Sequence, residues 1–219
     1  MRRLGFNTIF GAVLLAIFLA VSLWQSPGIL RGTLSTEEIA RHLSIVEQAL
    51  PFPPDERPEL LARLRAWAAA DDGKPVYMLN LMRYHEQLRT FPGAPPFAGT
   101  SREANALYEK AVMPLLFERG GYPMYSSVVQ GQNLMGYSSG LGDWSRVLLV
   151  RYPSRRTFLE LLTDPAYAPI EPYKLMALEV LLVPTTPERI LPNPSVAVGV
   201  VLLMLFLATG WIRAARRHN

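Results

Sequence analysis

Apolar residues gather at the two ends of the chain, and shorter apolar periods alternate with polar positions between them. Residues 4–24 and 195–212 contain no charged side chain. Each is long enough to cross a hydrocarbon core of about 30 Å, which takes roughly 20 helical residues, so both are predicted transmembrane helices. Trp24 and Trp211 stand at their edges, where an indole favours the membrane interface. Inside these ends, Ser35 followed by Glu38 forms a capping box, and Ile39, Leu43, Val46 and Leu50 then recur on one helical face. Pro51, Pro53 and Pro54 end that helix. A second, over residues 58–70, sets Leu60, Leu61, Leu64 and Trp67 along one side, and the pair makes a helical hairpin over residues 33–73.

From Lys74 the period changes. Residues 76–84 (VYMLNLMRY) read as a strand buried on both faces. Residues 101–119 read as a helix with Ala104, Leu107, Ala111, Leu115 and Leu116 inward and Gly120-Gly121 as its stop. A strand over 124–129 follows, and a glycine-rich stretch, 131–142, leads to a third strand over 147–152. Ser154 caps a helix reaching residue 162, Asp164-Pro165 opens another reaching Ala177, and a last strand over 180–183 ends at Pro184. The order β-α-β-β-α-β predicts an α+β chain with a ferredoxin-like unit over residues 74–184. The helical hairpin precedes that unit, and the two transmembrane helices flank it.

Charge has to be counted by position. The chain carries 22 Lys and Arg against 18 Asp and Glu, a formal +4. Taking away the five terminal arginines (Arg2, Arg3, Arg213, Arg216, Arg217) leaves 17 basic residues against 18 acidic ones, a net −1. The basic balance therefore belongs to the membrane flanks, and no nucleic-acid surface is expected. Arg31, Arg41 and Arg189 are sparser on the inner flanks. The positive-inside rule then places both termini in the cytoplasm and the middle outside, as in a bacterial inner membrane with a periplasmic domain. The alternative for residues 4–24 is a cleaved signal peptide, with Arg2-Arg3 as n-region and Ala20-Val21-Ser22 as cleavage site. The apolar run exceeds the 7–15 residues of a typical h-region and favours a retained anchor. With no cysteine in the chain, disulfides, thiolate metal sites and thiol nucleophiles are excluded.

The run from Asp143 through Trp144, Arg151, Tyr152, Pro153 and Ser154, then Phe158, Asp164-Pro165-Ala166-Tyr167 and Ala177-Leu178, resembles the dimeric α/β-barrel superfamily. Within it the chain is most similar to an uncharacterised group marked by a strand ending in YPS and a later DPxY. Asn80-Leu81, Arg83 and Gly120-Gly121 match as well. Where such families carry an arginine shortly before the Ala-Leu pair, this chain has Lys174 and Met176. The resemblance implies a ferredoxin-like protomer whose sheet pairs with a second copy into a barrel. It implies no particular reaction, since relatives include oxygenases, haem proteins and binding modules.

Candidate chemistry is thin. His85-Glu86 begins an HExxH motif, but Arg89 stands where the second histidine is needed. His85 is either an axial haem ligand or an exposed strand-end histidine, and the second reading is favoured. The glycine-rich stretch 131–142 lacks the Gly-Lys-Ser/Thr ending of a phosphate loop. Strand alternation groups Val76, Met78, Asn80, Met82 and Tyr84 on one face, with Asn80 the polar exception. Asn80, Tyr84, His85 and Trp144 are therefore the candidate lining of a barrel pocket; in the alternative, Asn80 bonds a neighbouring backbone and the pocket is filled. Arg83, Arg151 and Arg155-Arg156 either receive an anionic ligand or partner, or make solvated faces and ion pairs with Glu109, Glu160 and Asp164. No catalytic residue, metal ligand or cofactor is assigned. Thr8, Ala12, Ala16 and Ala20 form a small-residue stripe suited to close packing with another helix: the second helix, a second copy, or a larger complex. The expected role is a membrane-anchored, non-catalytic accessory or scaffolding subunit of a membrane complex, for instance an energy-transducing (respiratory or photosynthetic) one. Its partners are the lipid bilayer and other membrane-protein subunits or a second copy. The alternative is a small-molecule-binding protein or cofactor-independent oxygenase-like enzyme built on the barrel interior.

Overall fold

A computed structural model describes residues 5–49, 57–134, 142–188 and 194–216. The expected breaks at Pro51, Pro53 and Pro54, the middle of the glycine-rich stretch, and Arg2, Arg3, Arg189, Arg217 and the residue Leu50 lie outside these. The described residues form eight helices and one sheet of four antiparallel strands. The helices are α1 (Phe6–Gln25), α2 (Gly28–Arg31), α3 (Thr36–Ala49), α4 (Arg57–Ala69), α5 (Ser101–Glu118), α6 (Arg155–Leu162), α7 (Glu171–Ala177) and α8 (Pro194–Ala215). The strands are β1 (Val76–Tyr84), β2 (Tyr122–Val128), β3 (Arg146–Tyr152) and β4 (Leu178–Thr185), in sheet order β2-β3-β1-β4.

Local chemistry explains most of the boundaries. Ser35 and Glu38 exchange the two bonds of a capping box at the start of α3, Ser35 N–H donating to the carboxylate at 2.8 Å. Thr100 and Glu103 do the same for α5, and the Ser154 hydroxyl accepts from the Thr157 N–H to start α6. Helix α5 ends in a Schellman turn: Gly121 N–H bonds to Leu116 C=O, and Gly120 N–H to Phe117 C=O. Gly120 sits at φ +72°, a left-handed conformation that favours glycine.

Three expectations are corrected. Leu107 points outward, 45% exposed, because the covered stripe of α5 runs through Ser101, Ala104, Asn105, Val112 and Leu116 instead. Asp164 does not begin a helix; residues 165–170 are successive turns, and α7 starts only at Glu171. Pro169 lacks the N–H that a continuous helix would need there. Strand β4 runs through Pro184 because it is an edge strand, where proline costs no ladder bond on its open side. Pro123 is tolerated in β2 for the same reason, beside a register irregularity between Pro123 and Tyr125.

One face of the sheet is covered. Val76, Met78 and Met82 of β1 and Val150 and Tyr152 of β3 pack under α5, α6 and α7. The hairpin α3–α4 adds a further layer on α6: Ile39, Leu43 and Val46 are buried, and Trp67 meets Phe158 edge-on at 5.5 Å. Each fully buried side chain of this kind contributes about 1.5–3 kcal/mol. The opposite face carries Leu79 and Leu81 of β1, Val147 and Leu149 of β3, and Leu181 and Val183 of β4, by the pairing register. Among the described residues no helix of the sheet unit covers it, and Leu181 is 44% exposed, so β1 is buried on one face and half-buried on the other instead of buried on both.

Helices α1 and α8 are both long and apolar enough to cross a membrane. They pack antiparallel: Gly11 meets the Phe206 ring, Gly199 meets the Phe18 ring, and Arg213 lies over Phe6 at 4.1 Å. The start of α1 and the end of α8 therefore lie at the same end of this helical pair.

Candidate functional site

Asn80 stands in the middle of β1 on the helix-covered face and is 4% exposed. Its Nδ2 donates to Met78 C=O at 3.1 Å and to Leu148 C=O at 3.4 Å. Its Oδ1 accepts from Lys174 Nζ at 3.4 Å. Lys174 in turn lies 5.4 Å from the Tyr108 ring centroid, and the Tyr108 and Tyr167 hydroxyls are 3.4 Å apart. Glu171 is one helical turn before Lys174, 5% exposed, with Oε2 buried and without a hydrogen-bond partner. Burial pushes its carboxyl up to about 7, and Lys174 opposes that only in part. Burial likewise raises the Tyr167 phenol. Asn80, Lys174, Tyr108 and Tyr167 thus form a partly buried polar cluster between β1, α5 and α7, with the Glu171 carboxyl buried on the same helix as Lys174.

Tyr84 lies on the same face, four residues and roughly 13 Å further along the strand. Asn105 Nδ2 and Arg146 reach its hydroxyl at 3.4 Å each, and Arg102 covers its ring at 4.6 Å. Arg146 also pairs with Glu109. His85 continues past the strand end. Its backbone is held by Ala177 C=O and by the Ser101 hydroxyl, and its Nε2 is buried without a partner. Desolvation is the main cause holding its ring below the usual histidine value. Trp144 lies elsewhere, 5.8 Å from the Arg83 guanidinium, which pairs with Glu179 at 2.6 Å on the uncovered face. Asn80 and Tyr84 thus share a face, and Trp144 does not join them.

Sequence reasoning missed Tyr108 and Glu171 and noticed Lys174 only as a departure. The readable signal was the i, i+3 spacing of Glu171 and Lys174 on a short helix that otherwise packs inward. Asp164 and Tyr167 of the DPxY run have structural work: Asp164 accepts from Ala166 N–H at 2.7 Å and pairs with Arg119, and Tyr167 is core.

The arginines of β3 and α6 turn toward the N-terminal part of the chain. Arg151, 4% exposed, donates to Gln25 Oε1 at 2.6 Å and to Gln25 C=O at 3.0 Å, while Gln25 Nε2 donates to Gly120 C=O. Arg155 donates to Trp67 C=O at 2.5 Å. Arg156 pairs with Glu38 and donates to Thr33 C=O at 3.0 Å. The expected partners pair elsewhere: Glu109 with Arg146, Glu160 with Arg31, and Asp164 with Arg119. Thr8, Ala12, Ala16 and Ala20 lie exposed on the side of α1 away from α8, whose partner face is Gly11, Leu14 and Phe18. Among the described residues, no group of three or more His, Asp or Glu is placed to hold a metal ion.

The fold defines an α+β protein with one antiparallel sheet, helices on one face, and two further helices of membrane-spanning length. No protein-family model and no curated protein matches the chain. Among solved structures it is similar to RPA0582, a protein of unknown function from Rhodopseudomonas palustris, at 25% identity and a TM-score of 0.51, over 65% of this chain and 99% of that one. Methylated RPA0582 gives 26% identity and a TM-score of 0.51, over 64% and 95%. SnoaB, a cofactor-independent oxygenase from Streptomyces nogalater, is similar at 12% identity and a TM-score of 0.36, over 55% of this chain and 99% of that one.

Proposed function

We propose that this chain is a membrane-anchored, non-catalytic accessory or scaffolding subunit whose sheet unit docks a protein partner through its uncovered face. The observation that carries the reading is the chemistry of that face: Leu79, Leu81, Val147, Leu149, Leu181 and Val183 occupy the positions that a solvated antiparallel sheet fills with polar residues. The strand order and the helices on one face support a ferredoxin-like unit of dimeric α/β-barrel type. In that type the partner is a second copy; in a larger membrane complex it is another subunit. Helices α1 and α8 are the anchors, and the arginines outside them favour cytoplasmic termini and a periplasmic sheet unit in a bacterial inner membrane.

Native mass spectrometry of gently solubilised membranes tests this reading. A stoichiometric partner or homodimer, lost on Leu81→Arg while the fold persists, is expected. A monomer in the parent chain overturns it. A second reading, a ligand-binding or oxygenase-like protein, draws on the partly buried cluster of Asn80, Lys174, Tyr108 and Tyr167 and on the unpartnered carboxyl oxygen of the nearby Glu171. A co-purifying small molecule lost on Asn80→Ala would favour it.

A further inference from the structure

Helix α1 has 20 residues and spans about 30 Å, the thickness of a hydrocarbon core, so Gln25 stands at the level of the interface if the helix is a membrane anchor. The chain then turns at Ser26-Pro27 into α2, a single turn of four residues. Its inner side is locked. A Cβ on Gly28 would lie 2.2 Å from Gly73 C=O, so the two backbones are in direct contact, and Arg31 pairs with Glu160 of α6 at 2.5 Å. Its outer side carries Ile29 and Leu30, 73% and 70% exposed. Trp24, next to them in the chain, is 49% exposed although its indole N–H donates to Glu118 C=O at 3.4 Å, and the neighbouring Phe117 is also 49% exposed. Large apolar side chains fixed in this way cannot fold inward to escape water. An aromatic ring with its polar atom satisfied at the edge of an apolar helix is the arrangement that a headgroup region accommodates.

We propose that α2 is an interfacial foot: Ile29 and Leu30 enter the boundary between headgroups and acyl chains of the leaflet facing the sheet unit. The occupant of this surface is the lipid bilayer. Its continuity with α1 carries that choice, since no more than four residues separate the end of α1 from Ile29 and Leu30. The contacts of Gly28 with Gly73 and of Arg31 with Glu160 then transmit the position of the foot to the α4–β1 connection and to α6. This rests on the membrane-anchored reading, and the test separates the two.

The chain has no cysteine, so single-cysteine variants can be spin-labelled without a background. Ile29→Cys, Leu30→Cys, Ala16→Cys within α1 and Gln48→Cys on the exposed side of α3 are prepared in the full chain. They are reconstituted into vesicles of phosphatidylcholine and phosphatidylglycerol, and each is checked for parental near-UV circular dichroism. Relaxation by oxygen, which partitions into lipid, is compared with relaxation by a polar nickel chelate. The expected oxygen-to-nickel ratio at 29 and 30 lies severalfold above that at 48 and below that at 16. A ratio at 29 and 30 equal to that at 48, with 16 immersed in lipid, overturns the foot and leaves the anchors standing. A water-like ratio at 16 overturns both. Vesicles contain no other protein, so a surface meant for a protein partner gives the water-like result at 29 and 30.

Discussion

Replacing Glu171 with glutamine removes a titration and leaves the shape of the side chain. Glu171 is 5% exposed, and burial pushes its carboxyl up to about 7 from an ordinary 4.5. Well below pH 4.5 the group is protonated in folded and unfolded chains alike and carries no ionisation penalty. Between 4.5 and 7 the unfolded chain ionises while the folded chain keeps its proton, so stability falls as pH rises. Above 7 both forms are ionised, and the penalty levels off at roughly 3 kcal/mol. Glu171→Gln therefore gains little at pH 4.5 and roughly 3 kcal/mol at pH 8, on the order of 6–12 °C in Tm for a chain of this size. The assay is thermal unfolding of the full chain in detergent micelles, followed by near-UV circular dichroism from pH 4.5 to 8 in both proteins. His42 titrates in this window too, with the opposite sign. Its burial holds the ring below 6.5, so its contribution is lost as pH falls. The difference between the two proteins removes it, because both carry His42. The diagnostic quantity is the pH slope of that difference, since a glutamine that packs poorly adds only a constant. Parallel curves would refute the assignment of the Glu171 carboxyl to a desolvated, weakly compensated site.

The acid limb carries a second expectation. The hydrogen bond from Arg156, then that from the Ser35 backbone, hold the Glu38 carboxyl down at about 2. Its contribution is present above 4.5 and lost as pH falls toward 2, so Glu38→Gln should flatten the loss of stability between those values in an acid titration of unfolding. Gly120→Ala places a Cβ in a left-handed conformation, 3.1 Å from the Pro153 ring and 3.2 Å from Trp24 C=O. A loss of roughly 1–2 kcal/mol is expected in thermal unfolding, and an unchanged Tm would mean that the turn relaxes freely.

What the sequence made legible follows its local physics. Strand β1, the Ser154 cap, the Ser35–Glu38 box and the glycine stop of α5 rest on residues close in the chain, and each falls where periodicity and capping place it. Leu107 misled because a stripe at 104, 108, 112 and 116 and one at 104, 107, 111 and 115 are equally apolar; only the direction of the sheet chooses between them. The polar cluster of Asn80, Lys174, Tyr108 and Tyr167 was out of reach for a different reason, since it needs β1, α5 and α7 in place before its members meet. The arginines at 151, 155 and 156 show the same limit most clearly. As a run beside a strand end they read as a solvated or anion-binding patch, yet Arg151 and Arg156 reach Gln25 and Glu38 across more than a hundred residues. A buried guanidinium is costly to leave unpaired, so these bonds fix geometry more than they add stability. Arg151 belongs to the uncovered face at its end nearest α1, paired with Tyr77 of β1 and Tyr122 of β2. Gln25, the last residue of α1, supplies both acceptors. The first apolar helix is therefore tied to one end of the sheet's open face, and withdrawing it would strand a buried charge. The remainder of that face, toward Arg83 and Glu179, is the surface on which the proposed partner would dock.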